Sequence, residues 1–154
     1  MKRLFLASIL AFSVLRATEE NVWESRGAYV KYGLSSPFVI PICPTLGFGY
    51  YWSQGVDISA MGYFGYPDIG LDVKVLALPK IKEKFQFGVG PAYTLFAGGS
   101  TVGVGLLFRF PNPNKKTFFQ VEVTQPIIRI QRGYADDVGL GYLPNVGLMW
   151  GYKF

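Results

Sequence analysis

Hydrophobic and polar residues alternate along most of this chain, and the alternation is clearest in Val146–Phe154. Successive strand side chains point to opposite faces. Val146, Leu148, Trp150, Tyr152 and Phe154 therefore form one apolar and aromatic face, and Gly147, Met149, Gly151 and Lys153 form the other. A strand that turned the first face to water would invite aggregation. It is stable facing lipid, with a neighbour on each edge.

The same period predicts seven earlier strands. They cover residues 27–34, 45–52, 56–66, 69–75, 85–96, 102–110 and 119–130. In the first, Ala28, Val30 and Tyr32 oppose Tyr29, Lys31 and Gly33. In the second, Leu46, Phe48, Tyr50 and Trp52 oppose Gly47, Gly49 and Tyr51. In the last of the seven the apolar phase slips after Pro126 to Ile128 and Ile130, which predicts a bulge. Between strands lie a proline loop (35–44, with Pro37, Pro41 and Pro44 around Cys43), the tight turn Ser53-Gln54-Gly55 and the basic turn 79–84. The turn 111–116 carries Pro111 and Pro113, and the longest loop is 132–144. Eight strands of about 9–11 residues suit a tilted crossing of a bilayer. The predicted fold is all-β: an antiparallel up-and-down eight-stranded transmembrane β-barrel over residues 27–154.

Composition agrees with strands rather than spanning helices. Half of the 154 residues are hydrophobic and 16% are charged, yet past the first 15 residues no apolar run approaches the ~20 a membrane helix needs. The start reads as a secretory signal over residues 1–17. Lys2 and Arg3 precede the apolar run Leu4–Leu15, and cleavage is expected near Ala17. Residues 18–26 form a short periplasmic lead-in. Removing 1–17 takes away Lys2, Arg3 and Arg16, which lowers the formal charge from +5 to +2. The basicity is largely the signal's and gives no reason to expect nucleic-acid binding.

Cys43 is the only cysteine and there is no histidine. An internal disulfide and a Cys/His zinc site are both excluded. Gly-x-Gly recurs at 47/49, 88/90, 103/105 and 139/141, but no helical period follows to receive a phosphate. In the first three pairs the glycines share a face and leave room for long side chains across the interior.

The terminal strand resembles that of bacterial outer-membrane β-barrel proteins, which typically ends in Phe and carries alternating aromatics for the barrel-assembly machinery. Trp150, Tyr152 and Phe154 occupy those positions, with Met149 where that family usually has glycine. Over 27–154 the pattern is similar to the small OmpA/OmpX/OmpW-like barrels. The resemblance implies a location in the bacterial outer membrane, contact with its lipid and lipopolysaccharide, and no cofactor. Catalytic barrels of that membrane lean on histidine, so the chain is not expected to be an enzyme.

Eight strands also build soluble lipocalin-like barrels, in which the apolar face points inward. Here the second face is mostly glycine, alanine, serine and threonine with scattered charge, a poor surface for water. Its charges are Lys31, Asp57, Asp72, Lys74, Arg109, Glu122 and Lys153. Four positive and three negative groups nearly neutralise one another in a narrow lumen, where an unpaired charge would be costly. On this topology Trp52, Phe85, Phe110, Phe119, Tyr152 and Phe154 fall at the periplasmic ends of strands. Tyr32, Phe64 and Tyr93 fall near the outer ends, giving two aromatic belts.

The expected role is structural or in surface interaction, with the lumen plugged by side chains. The alternatives are a secreted soluble barrel holding an apolar ligand, and a narrow OmpW-like channel for small or apolar solutes. Cys43, placed in the first external loop, is a candidate link to an envelope partner. Arg129 and Arg132 are candidate contacts for lipopolysaccharide phosphate.

Overall fold

The computed structural model describes residues 27–36, 42–52, 55–64, 69–78, 80–82, 85–96, 99–112, 116–131 and 143–154. They form an all-β antiparallel barrel without helices. In chain order the strands are β1 (Gly27–Ser36), β2 (Cys43–Trp52), β3 (Val56–Phe64) and β4 (Ile69–Ala77), then the three-residue β5 (Lys80–Lys82). They continue with β6 (Phe85–Phe96), β7 (Gly99–Pro111), β8 (Thr117–Gln131) and β9 (Asn145–Lys153). Each long strand pairs with its neighbour in sequence, β1 pairs with β9, and β4 pairs with β6. Because β5 and β4 both pair with β6, the short segment prolongs the stave of β4 and the barrel has eight staves. Every stave has two partners, so no row of backbone donors and acceptors is left open as an edge.

Both described ends of the chain, Gly27 and Phe154, lie at one end of the barrel. There the Phe154 amide donates to the Ala28 carbonyl at 3.0 Å. This end is called the base, and the opposite one the top. Gly55, at φ 80°, closes the β2–β3 turn at the base, a conformation that glycine adopts without penalty. Its amide donates to the Trp52 carbonyl at 3.0 Å.

The strands alternate between a buried inner face and an exposed outer face. On the outer face Phe48 is 68% exposed and Leu148 45%, whereas Lys31 and Asp72 on the inner face are wholly buried. The apolar side of this cylinder looks outward and the polar side inward. Soluble barrels are built the other way round.

Several strand limits differ from those expected. Ser35 and Ser36 belong to β1, and Cys43 and Pro44 to β2, through the pairs Leu34↔Pro44 and Ser35↔Cys43. Proline is tolerated at this place because it lies one residue inside the start of the strand, where one missing donor costs little. The basic turn 79–84 contains β5, held by Lys80↔Gln86 and Lys82↔Phe85. The third strand, expected to reach Tyr66, is described only to Phe64. In the β7–β8 ladder the register shifts twice, stepping over Ile127 and Ile130. The first shift is the bulge that the phase slip after Pro126 predicts. Residues 1–17 and 18–26, Arg132 and most of the longest loop lie outside the described residues.

Candidate functional site

Among the described residues the barrel interior holds the densest concentration of polar and charged side chains, and period 2 puts it there. Tyr29 and Lys31 of β1, Asp57 and Ser59 of β3, and Asp72 and Lys74 of β4 are same-face neighbours two residues apart. So are Gln120, Glu122 and Thr124 of β8. All are buried. The inner face of β2 makes room for them. A Cβ on Gly49 would lie 2.4 Å from the Tyr29 ring, and one on Gly47 would lie 2.7 Å from Lys31 Cε. Two glycines therefore let the long side chains of β1 cross in front of β2.

Near the base, Arg109 Nη2 donates to Asp57 Oδ2 at 3.0 Å, and its Nε donates to Gln120 Oε1 at 2.9 Å. The guanidinium carbon lies 4.7 Å from the Tyr29 ring centre and 4.8 Å from that of Phe118. Such placement adds cation–π attraction where water is excluded. The Tyr29 hydroxyl donates to the other Asp57 oxygen at 2.7 Å. Arg109 is thus held by a carboxylate, an amide and two rings. Beside it an apolar cluster of Tyr51, Leu76, Leu78 and Leu107 fills the lumen. The Lys153 ammonium lies 5.6 Å from the Tyr51 ring centre.

At mid-height Glu122 is shared by two lysines. Lys31 Nζ donates to its Oε1, and Lys74 Nζ donates to its Oε2 at 2.5 Å. Lys31 also donates to Ser59 Oγ at 3.2 Å. Gln120 Nε2 donates to Glu122 Oε1, so this one amide joins the arginine layer to the lysine layer. Above it, Asp72 lies 3.6 Å from Lys74 Nζ. It accepts from Thr94 Oγ1, from Thr124 Oγ1 at 3.0 Å and from Asn145 Nδ2 at 3.2 Å. A single network of hydrogen bonds and ion pairs therefore runs from Asp57 to Asp72 and draws on seven strands. Buried charge is tolerable only when paired and bonded in this way.

The seven charged positions read from the sequence are all buried on the inner face. The structure joins six of them in that network and puts Lys153 at the base beside Tyr51. The neutral partners Tyr29, Ser59, Thr94, Gln120, Thr124 and Asn145 were not singled out as network members. Their signal was parity with the charges, since each occupies an inward position of its strand.

Trp150, Tyr152 and Phe154 lie on the outer face near the base and are exposed. Arg129 is half-buried towards the top of β8. Cys43 requires a correction. It is not in an external loop but in β2, 1% exposed on the inner face, because the ladder continues past Pro44 and keeps the inward parity of Thr45. A buried thiol reacts only when the structure opens. A maleimide is therefore expected to label Cys43 in urea and to leave it unmodified in the folded barrel, as mass spectrometry would read. Fast labelling of the folded protein would contradict the inward placement.

No protein-family model matches the sequence, and no curated protein is significantly similar to it.

Proposed function

We propose that this chain is an integral outer-membrane β-barrel protein with a structural or surface-interaction role, exported by a signal peptide cleaved near Ala17, with a plugged lumen and no catalytic activity. The observation that carries the proposal is the inverted polarity: an apolar, aromatic outer face around a charged, hydrogen-bonded interior. In water that outer face would be an aggregation surface far larger than monomers tolerate. In hydrocarbon it is the stable arrangement, because the closed ladder satisfies every strand without water.

The aromatic side chains support the same reading. At the base of the outer face, Phe87, Phe108, Phe85, Phe110, Phe119 and Trp150 follow one another with ring centres 5.1–6.2 Å apart. Tyr50 with Trp52 and Tyr152 with Phe154 extend the band. Girdles of aromatic side chains flank the apolar band of transmembrane barrels. The base would face the periplasm. Trp150, Tyr152 and Phe154 would be presented to the barrel-assembly machinery, and the top, near Arg129, would meet lipopolysaccharide. An interior filled by paired side chains argues against a diffusion pore and leaves little space for an apolar ligand.

The test is refolding of the full chain with phospholipid vesicles. The protein is expected to float with the vesicles in a density gradient, to resist carbonate extraction, and to run faster on a gel unheated than boiled. A folded barrel recovered entirely in the aqueous fraction would overturn the proposal. In planar bilayers the unmodified protein is expected to give no resolved conductance steps; steady steps would favour a channel.

A further inference from the structure

Pro91 stands in the middle of β6, a stave with β4 on one edge and β7 on the other. Proline has no backbone amide, so inside a sheet it removes one ladder hydrogen bond. The pairing shows on which edge. The β6–β7 ladder runs unbroken from Gln86↔Arg109 to Phe96↔Gly99, through Pro91↔Val104. The β4–β6 ladder runs from Gly70↔Phe96 to Lys74↔Ala92 and resumes only at Ala77↔Val89. It skips the rungs that would join Val75 to Pro91 and Leu76 to Gly90, so the missing donor faces β4. Among the described residues every other ladder between long strands is unbroken, apart from the two bulges of β7–β8.

Below the gap the joint is thinly held. Ala77↔Val89 is followed by Lys80↔Gln86 and Lys82↔Phe85, with a shift in register between the last two. Above the gap, five consecutive rungs and the hydrogen bond from Thr94 to Asp72 hold β6 to β4. On its other edge β4 stays with β3 through nine consecutive rungs, and the Leu78 amide donates to the Gly55 carbonyl at 2.7 Å. The inner surface at this height is apolar. Leu76 and Leu107 are each 1% exposed, and the neighbouring inward positions of β6 are Gly88 and Gly90. A Cβ on Gly90 would lie 2.1 Å from the Val75 carbonyl oxygen, so the two backbones meet with no side chain between them. Parting them uncovers leucine rather than a buried charge, which avoids the main cost of opening the lumen elsewhere.

We propose that the lower half of the β4–β6 joint is a lateral seam, at which the barrel wall opens while its other joints stay closed. β6 swings away from β4 about Pro91, and the upper rungs act as the hinge. Proteins open locally where backbone bonding is sparse. This joint combines a missing donor, a shift in register and an apolar backing. The seam belongs to the ladder itself and does not depend on the medium around the barrel, so it stands apart from the membrane reading.

Amide exchange in the full chain, refolded in detergent micelles and followed by nuclear magnetic resonance, tests the seam. Alternate amides of an antiparallel strand face opposite neighbours. The Val89 and Ala77 amides therefore face the seam, whereas those of Gly88 and Gly90 face β7 and that of Leu76 faces β3. After correction for intrinsic rates, Val89 and Ala77 are expected to exchange about fivefold faster than Gly88, Gly90 and Leu76, the factor that one hydrogen bond supplies. Pro91→Val restores the donor and is expected to bring the ratio close to one. Equal exchange of the two sets in the unmodified protein would overturn the seam, because β6 would then open as a whole or not at all. A ratio unchanged in Pro91→Val would overturn the assignment to the missing donor. The first comparison is between neighbouring amides of the unmodified protein, so it decides the matter whether or not the variant folds.

Discussion

Replacing Glu122 by leucine is expected to destabilise the barrel by about 3–5 kcal/mol, the range for stranding a buried charge. Glu122 is the only carboxylate bonded to Lys31 in the network, and it is the nearer of the two that Lys74 meets. Without it Lys31 keeps the Ser59 hydroxyl and Lys74 keeps Asp72 at 3.6 Å. Two buried ammonium groups then face each other across the lumen. The measurement is urea unfolding of the reconstituted protein, arranged as a double-mutant cycle with Lys31→Met. If the pair is buried as described, Glu122→Leu costs less in the Lys31→Met background than in the wild type. If water filled the lumen instead, each single change would cost under ~1 kcal/mol and the coupling would vanish.

The cycle also separates what could be read in the sequence from what could not. Period 2 assigned the seven lumen charges to one face, because residues such as Lys31, Asp72, Lys74 and Glu122 each sit between apolar neighbours. It did not say that Glu122 would serve two lysines, or that Gln120 would join the arginine layer to the lysine layer. Those contacts depend on ladder register and on which staves face one another across the lumen, and neither is encoded locally. Cys43 was misplaced for a different reason. A proline at 44 suggests a break in the ladder, although Cys43 shares the parity of Thr45 and Gly47 and continues their inward row. The short β5 was illegible because Lys80-Ile81-Lys82 is too brief to show a period; its pairing follows from the hairpin into β6. By contrast the bulge at Ile127 was legible, since a slip in apolar phase has no other cheap explanation within one strand.

The interior and the exterior place opposite demands on the same kinds of residue. Arg109 is 1% exposed inside the barrel and acceptable there because Asp57, Gln120, Tyr29 and Phe118 surround its guanidinium. No comparable set of partners exists on the outer face, where Phe48 stands between Val30 and Ala60 in the ladders on either side. The mutation series that compares these two environments therefore bears on the medium outside the barrel, independently of the lumen network.

Phe48→Arg is expected to destabilise the barrel in phospholipid bilayers by about 2–4 kcal/mol, the cost of a basic side chain on the lipid face near the midplane. Phe48 suits the test because it lies mid-strand in β2, far from both rims, and is 68% exposed. Phe48→Leu, at the same site, keeps the surface apolar and is expected to cost less than about 1.5 kcal/mol. The measurement is again urea unfolding in bilayers, with the loss graded by depth. Trp52→Arg, at the base end of the same strand, is expected to lose about 0–1 kcal/mol to depth alone. For a barrel that lives in water the order would differ. An arginine at so exposed a position would change stability by no more than about 0.5 kcal/mol, and solubility would improve as the apolar patch shrank. A neutral Phe48→Arg would therefore contradict the outward-facing hydrocarbon on which the membrane assignment depends.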